Sequence, residues 1–186
     1  MKALPIYRIQ RDDHLVWPDE VQEIDWDSPA EAVFTDFREH EPLVIAGSMS
    51  AEDGARQLRQ THALLKLVVD QDGDFVGIVR PEDLSEQSIL RLVACGARRE
   101  DICVRDLMLP RAAVCAIDRA DLHRATVGDL VKTLRHHGQA HCLVVDEGAH
   151  EIRGVISAED LARRLHVRIR VDTPPTFAQI HQAVRH

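Results

Sequence analysis

The chain repeats itself, and this repetition limits the folds open to it more than any other feature. The tetrapeptide "LVVD" occurs at Leu67–Asp70 and again at Leu143–Asp146, a shift of 76 residues. The phrases "GIVRPEDL" (Gly77–Leu84) and "GVISAEDL" (Gly154–Leu161) are related by a shift of 77 residues. Self-similarity at a fixed spacing is typical of duplicated supersecondary units. The sequence therefore predicts two structurally equivalent units.

Each copy has the pattern of a strand, a helix, two strands and a second helix. An apolar run of strand length opens each copy, at residues 42–47 and 112–117. A helix is then expected after Ser50 or Thr126, because each hydroxyl is followed three positions later by an aspartate, as at a capped helix start. "LVVD" and the longer phrase supply the two remaining strands and the last helix. The copies differ at "DRADLHR" (118–124), which is inserted in the second.

Two segments outside the copies are predicted to be packing accessories. In "SPAEAVFTDF" (28–37), Ser28 as cap and Glu31 as reciprocal capping acid predict a short helix leading into the first unit. "VRDLM" (104–108), ended by a proline, leads in the same way into the second. The predicted division of the chain is an N-terminal extension (1–27), a first unit (28–100), a second unit (101–166) and a C-terminal tail (167–186).

Composition and charge exclude several classes of protein. The net charge of −8 argues against binding to a nucleic-acid duplex. No apolar run reaches the length of a membrane span, and the N-terminus lacks a secretory pattern, so we expect a cytoplasmic protein. The charge is uneven: the first half is net negative and the second slightly positive, so an anionic ligand should prefer the second half. The cysteines lack a C-x-x-C pair and are expected to remain thiols: Cys95, Cys103, Cys115 and Cys142.

The repeated pattern, with "VRDLM", "LVVD" and "GVISAEDL" in it, resembles the cystathionine-β-synthase (CBS) domain family, whose members often occur as tandem pairs called Bateman modules. The resemblance covers about Ser28 to Leu165. It implies an α/β (α+β) fold of two CBS-like β-α-β-β-α units packed with pseudo-twofold symmetry. It also implies a regulatory, non-catalytic module that forms a homodimer, binds an adenine-containing small molecule such as AMP, ADP, ATP or S-adenosylmethionine, and controls an unidentified protein. No cofactor is required.

In that family the closing phrase is glycine, two hydrophobic residues, Ser or Thr, two variable residues and Asp. The hydroxyl and carboxylate commonly contact the phosphate and ribose of the nucleotide, and here they match Ser157 and Asp160. The spacing has a physical reason, because a helix start exposes amides that favour phosphate, and a carboxylate can accept hydrogen bonds from two ribose hydroxyls. Ser-x-x-Asp is also an ordinary capping arrangement that needs no ligand. Both interpretations remain open at this point.

The first copy departs from the pattern, since Arg80 takes the hydroxyl position while Asp83 is retained. Asp83 could hold a ribose, and Arg80 could fill the site with its own cation or pair with a phosphate. The first site is therefore expected to be degraded or altered. The resemblance also assigns the residues entering the middle strand to the adenine, and in the second copy these are Gln139, Ala140 and His141.

Two alternatives belong to other classes of protein. The first is a ligand-free dimerisation or interaction scaffold, which Arg80 and the inserted "DRADLHR" would favour by obstructing the clefts. The second is a metal- or redox-responsive protein, suggested by "HHGQAHC" (136–142), although a helix end near Gly138 would keep these side chains apart. No nucleophile with a base in reach is apparent, and neither catalytic nor metal-ligating residues are predicted.

Overall fold

The computed structural model describes residues 24–136, 140–166 and 176–183, and within them it contains eight strands and seven α-helices. The strands are β1 (Phe34–Asp36), β2 (Val44–Ala46), β3 (Lys66–Val69), β4 (Phe75–Val79), β5 (Leu109–Pro110), β6 (Ala116–Asp118), β7 (His141–Asp146) and β8 (Glu151–Ser157). The helices are α1 (Ala51–Thr61), α2 (Glu86–Ala94), α3 (Val104–Leu107), α4 (Arg119–Arg124), α5 (Val127–Leu134), α6 (Ala158–Arg164) and α7 (Phe177–Ala183). The expected helix end at Gly138 lies outside the described residues.

Helices α1 and α5 begin where the sequence predicts, whereas β6 begins only at Ala116, after a 3-10 turn at Arg111–Ala113, and α2 begins at Glu86, beyond the repeated phrase. The Ser50 hydroxyl accepts a hydrogen bond from the Asp53 amide (3.1 Å) at the start of α1. Thr126 and Asp129 exchange side-chain and backbone hydrogen bonds at the start of α5, which is a complete capping box. Gly73, in the turn between β3 and β4, has φ +87, a conformation that glycine adopts at little cost. Local capping and turn residues therefore define these elements.

The strands form two four-stranded sheets with equivalent connections. The first sheet has the order β2-β3-β4-β5 and the second β6-β7-β8-β1. In each, a parallel pair (β2–β3 or β6–β7) continues into two antiparallel pairings. Because β1 precedes the first copy and β5 precedes the second, each sheet takes its fourth strand from the other half of the chain. The two halves are thus joined by an exchange of strands.

The lead-in segment at 28–37 packs on the second unit, and its predicted cap is wrong. The helical turn at Ala30–Val33 is a 3-10 helix with no side-chain cap. The Ser28 hydroxyl instead bonds the Asp25 amide (3.0 Å), and Glu31 bonds His123 Nδ1 at 2.8 Å. Ala30 and Val33 are buried in the core that contains α5 and α6. The turn is short because its polar residues serve tertiary contacts rather than a cap.

An ion pair anchors the exchanged strand β1. Arg153, on β8, donates to both carboxylate oxygens of Asp36, at 2.8 and 3.1 Å, and its side chain is only 5% exposed. The Arg38 amide, together with Arg153, lowers the pKa of Asp36. The carboxylate thus stays ionised opposite a buried guanidinium.

The glycine that opens each repeated phrase lies where the exchanged strand pairs with the sheet. A Cβ added at Gly154 would overlap the carbonyl oxygen of Thr35 in β1, and one added at Gly77 would overlap that of Leu109 in β5. Only a residue without a side chain permits this close backbone approach. The repeated glycines are therefore explained by the strand exchange.

Three apolar clusters form the core. One lies between the second sheet and its helices, one between the first sheet and its helices, and a smaller one, around Leu67, Ile78 and Leu143, contains residues of both sheets. Helix α7 packs on α5 and α6 through the buried Phe177 and Ile180. Within the described residues, no helix is long and apolar enough to span a bilayer.

Candidate ligand-binding site

The second sheet brings most of the predicted ligand residues to one edge, where β7 begins and β8 ends. His141 and Ser157 are direct partners in the antiparallel ladder. The Ala158 amide, at the start of α6, donates to the Ala140 carbonyl at 2.8 Å. Asp160 follows in the first turn of α6. Gln139 was also predicted for this site and lies outside the described residues.

Ser157 and Asp160 form a weak cap that leaves the carboxylate accessible. The Asp160 amide donates to Ser157 Oγ at 3.5 Å, at the long limit for such a bond. The Asp160 carboxylate is 34% exposed and bonds Arg163 one turn on, whose side chain is 70% exposed. Arg164 Nη1 lies 4.0 Å from the same carboxylate. A hydroxyl, a carboxylate and two arginines therefore meet at the start of α6.

The corresponding residues of the first copy, Arg80 and Asp83, are hydrogen-bonded to each other. Arg80 donates from Nε (3.1 Å) and Nη2 (2.8 Å) to the two oxygens of Asp83, and its backbone amide adds a third bond at 2.9 Å. The side chains are 24% and 14% exposed, and Glu82 lies 3.2 Å from Arg80 Nη1. The hydrogen bonds to Asp83 raise the pKa of Arg80. The carboxylate that would hold a ribose is thus already occupied by a cation of the same chain.

His141 is buried between the two units and is neutral at pH 7. It is 6% exposed, and Nδ1 has no hydrogen-bond partner among the described residues. Burial, and to a smaller extent the charge of Arg80, lowers its pKa to about 4, an effect that the charge of Asp83 partly opposes. The structure therefore places Arg80 and Asp83 of the first copy within electrostatic reach of the second-copy edge.

The first-copy edge includes a buried lysine that the sequence pattern did not indicate. Lys66 begins β3 at the position equivalent to Cys142, is 4% exposed, and pairs with Val79, next to Arg80. In the sequence Lys66 lies between leucines at the start of an apolar run, where a lysine is expected to be solvent-exposed. Only the strand register shows that it adds positive charge to the first-copy edge.

The inserted "DRADLHR" lies away from this edge. It forms α4, which begins after Asp118, and it lines a cavity of about 600 Å³ beside Asp146 and Gly148. Asp146 ends β7, whereas His141 begins it, so the insertion is at the opposite end of the strand. It does not obstruct the Ser157 edge.

The histidine-rich segment provides no metal centre in the described part of the chain. No group of three or more His, Cys, Asp or Glu side chains there is placed to hold an ion. His136 and His141 are described, while His137 is not. Cys142 is buried in the core.

Two strand-helix-strand-strand-helix units with exchanged edge strands and a Ser-x-x-Asp helix start define a duplicated α/β module with a candidate binding edge. The CBS domain model matches residues 34–89 and 104–167. The chain therefore belongs to the CBS domain family. A comparison with curated protein sequences found no match.

Solved structures share this fold at low sequence identity. An uncharacterised conserved protein from Pyrococcus horikoshii is 21% identical, with a TM-score of 0.56 over 81% of this chain and 99% of that one. The CBS domain of a bacterial CNNM/CorC family Mg²⁺ transporter, solved with ATP, is 19% identical (TM-score 0.55, 77% and 91% covered). CBSX2, solved with AMP, is 18% identical (TM-score 0.52, 73% and 93% covered).

Proposed function

We propose that the chain is a regulatory module that binds an adenine nucleotide or related adenosyl ligand at the second-copy edge and transmits occupancy to a partner protein. The observation that carries the proposal is the contrast between the two carboxylates, Asp160 and Asp83. Family membership supports it, as do the relatives solved with ATP and AMP.

The contrast lies in how easily a ligand can displace the arginine. The Asp160–Arg163 pair is solvent-exposed, and such pairs contribute only about 0.2–1 kcal/mol. The Asp83–Arg80 pair is largely shielded and held by three hydrogen bonds, which are stronger when charged. A ribose can therefore replace Arg163 at little cost, whereas the first copy resists replacement. We infer one ligand per chain.

Each residue has a role that its position supports. The Asp160 carboxylate accepts hydrogen bonds from the ribose hydroxyls, and Arg163, once displaced, faces the phosphates. The Ser157 hydroxyl contacts phosphate. Ala140 and the neutral His141 form the wall against the adenine. Arg80 stays paired with Asp83 and Glu82 in the facing unit and does not touch the ligand.

The test is thermal unfolding against AMP, ADP, ATP and S-adenosylmethionine, with GTP as a control. A ligand at about one hundred times its dissociation constant adds about 2.7 kcal/mol of stability. Asp160→Ala should abolish the shift. The control variant is Asp129→Ala, because Asp129 occupies the equivalent position in the first turn of α5, three residues after its cap Thr126, and belongs to no proposed site. Asp129→Ala removes the bond from the Asp129 carboxylate to the Thr126 amide and should cost about 0.5–2 kcal/mol. Asp160→Ala removes only an exposed ion pair and should cost about 0.2–1 kcal/mol, but it alone should lose ligand binding.

If neither protein responds to any ligand, the module is the ligand-free interaction scaffold instead. If Asp160→Ala responds as the parent does, Asp160 only caps α6. An equal loss of binding in both variants would point to a global effect and would contradict the proposed site.

We further propose that the homodimer forms through the first unit. Leu90 and Val93 on α2 are 50% and 36% exposed, whereas the helices of the second unit carry α7. Leu90→Glu should shift the protein from dimer to monomer in sedimentation analysis. Leu43→Glu is the matched control, because Leu43 is equally exposed but lies at the edge of the first sheet. An unchanged dimer in Leu90→Glu would refute this surface.

A further inference from the structure

Two cysteines lie side by side at the start of neighbouring strands. The parallel strands β6 and β7 pair Ala116 with Leu143, so the preceding residues, Cys115 and Cys142, are the next pair in register. The Leu143 amide donates to the Cys115 carbonyl at 3.0 Å, which fixes this alignment. Neighbouring strands are about 4.8 Å apart, and a disulfide joins Cα atoms about 4.4–6.8 Å apart. The backbone thus already has a spacing that a disulfide can span.

The side chains also meet. Both cysteines belong to the same apolar cluster, and the interaction between their side chains shifts the pKa of each thiol. Cys142 Sγ lies 3.5 Å from the Leu143 carbonyl oxygen. Cys115 Sγ in turn lies 3.3 Å from the His141 carbonyl oxygen. Cys142 is fully buried, while Cys115 is half-buried.

The thiols differ in reactivity. The interaction with the Cys142 side chain lowers the pKa of Cys115, and the same interaction, with burial, raises the pKa of Cys142. A thiolate therefore forms more readily at Cys115 than at Cys142, which makes Cys115 the attacking nucleophile of the pair. Burial and Asp106 raise the pKa of Cys103, whose side chain bonds that carboxylate at 3.1 Å. The Cys115–Cys142 pair is distinct from the other two cysteines.

We propose that Cys115 and Cys142 form a reversible oxidation site that takes hydrogen peroxide and closes to a disulfide. The Cys115 thiolate attacks the peroxide: an S–O bond forms, the O–O bond breaks, and the leaving hydroxide takes a proton to become water. The Cys142 sulfur then attacks the sulfenic acid: an S–S bond forms, the S–O bond breaks, and the Cys142 proton leaves with the departing oxygen as a second water. Two thiols lose two electrons, and one peroxide becomes two waters.

The disulfide acts on the adjoining ligand edge, an effect that rests on the proposed function. Oxidation removes the hydrogen that Cys115 can donate to the His141 carbonyl. It also fixes the start of β7 to β6, directly beside Ala140 and opposite Ser157. The oxidised protein is expected to bind the adenine nucleotide several-fold more weakly than the reduced protein.

The experiment treats the full chain with hydrogen peroxide, alkylates the remaining thiols under denaturing conditions and maps the peptides by mass. The expected product is a peptide pair joining Cys115 to Cys142, lighter by two hydrogens and separated again by dithiothreitol. Cys95→Ser should leave this product unchanged. Cys115→Ser should abolish it while Cys142 remains alkylatable, and Cys142→Ala should leave Cys115 as a sulfenic acid that a dimedone probe captures.

Recovery of both thiols in alkylated form, or a disulfide that instead involves Cys95 or Cys103, would overturn the oxidation site. Nucleotide affinity is then compared between reduced and oxidised protein, with peroxide-treated Cys115→Ser as the control. A mapped disulfide with unchanged affinity would overturn the coupling alone. If the reduced protein binds no nucleotide, the proposed function fails, and the peptide map still decides the oxidation site.

Discussion

Adding one methyl group at Gly154 should destabilise the protein, because β1 from the other half of the chain occupies that space. In Gly154→Ala the new Cβ would overlap the Thr35 carbonyl oxygen and lie 2.8 Å from the ring of Phe34. Carbon atoms pack at about 3.5–4.0 Å, so β1 must move away by roughly 1 Å. That shift strains the Asp36–Arg153 pair as well as the strand pairing. Overpacking typically costs about 1–3 kcal/mol of unfolding free energy. Because the ion pair and the strand pairing are strained as well, we expect a loss near the upper end of that range, about 3 kcal/mol.

The assay is the free energy of unfolding from urea titration. Gly148→Ala is the matched control, because Gly148 is in the turn before β8 and its added Cβ would lie 3.6 Å from the nearest atom, an ordinary contact. Gly148→Ala should be neutral or stabilising by about 0.4–1 kcal/mol. If Gly154→Ala is as stable as Gly148→Ala, β1 does not pair with β8 at Gly154, and the strand exchange is refuted.

Two further predictions concern the facing residues of the two copies. Arg80→Thr releases the Asp83 carboxylate and restores a hydroxyl at the first site. Titration calorimetry should then show the nucleotide stoichiometry rising from one towards two per chain. An unchanged stoichiometry would contradict the idea that Arg80 closes the first site. The pKa of His141 is lowered to about 4 in the folded chain. As the pH falls below about 6.5, the imidazole is therefore protonated in the unfolded chain but stays neutral in the folded chain until about pH 4. Stability should fall by about 3 kcal/mol across that window, and His141→Leu should flatten this part of the pH profile; an unchanged slope would show that another group titrates there.

Much of the fold follows from the sequence, because each element of one copy had a counterpart in the other. The strand at residues 141–146 and the helix after Ser157 lie as predicted, since capping hydroxyls and apolar runs are local signals. The exchange of β1 and β5 could not be predicted in this way. These strands have only three and two residues, and their partners are more than thirty residues away.

The site was predictable in part for the same reason. The Ser157–Asp160 spacing is local, and so is the Arg80–Asp83 pairing that the replacement suggested. The placement of His141 near Arg80 depends on how the units pack, which no spacing within one unit reveals. The one sequence signal of the exchange was the glycine that opens both phrases, since a strand position without a side chain indicates a close backbone approach.

The exchanged strands explain how occupancy at one edge can reach the whole module. Under the proposed function a ligand at Ser157 would act on the end of β8, and β8 is paired with β1 at Ile156, Val155 and Gly154. Because β1 runs through residues 37–43 directly into β2, a shift of β8 is carried into the first sheet. The first sheet is joined in the same way, through β5, to the start of β6. Each half thus contributes a strand to the other, and under the proposed function a single ligand in the second copy would act on both halves, while Arg80 stays paired with Asp83 in the first copy.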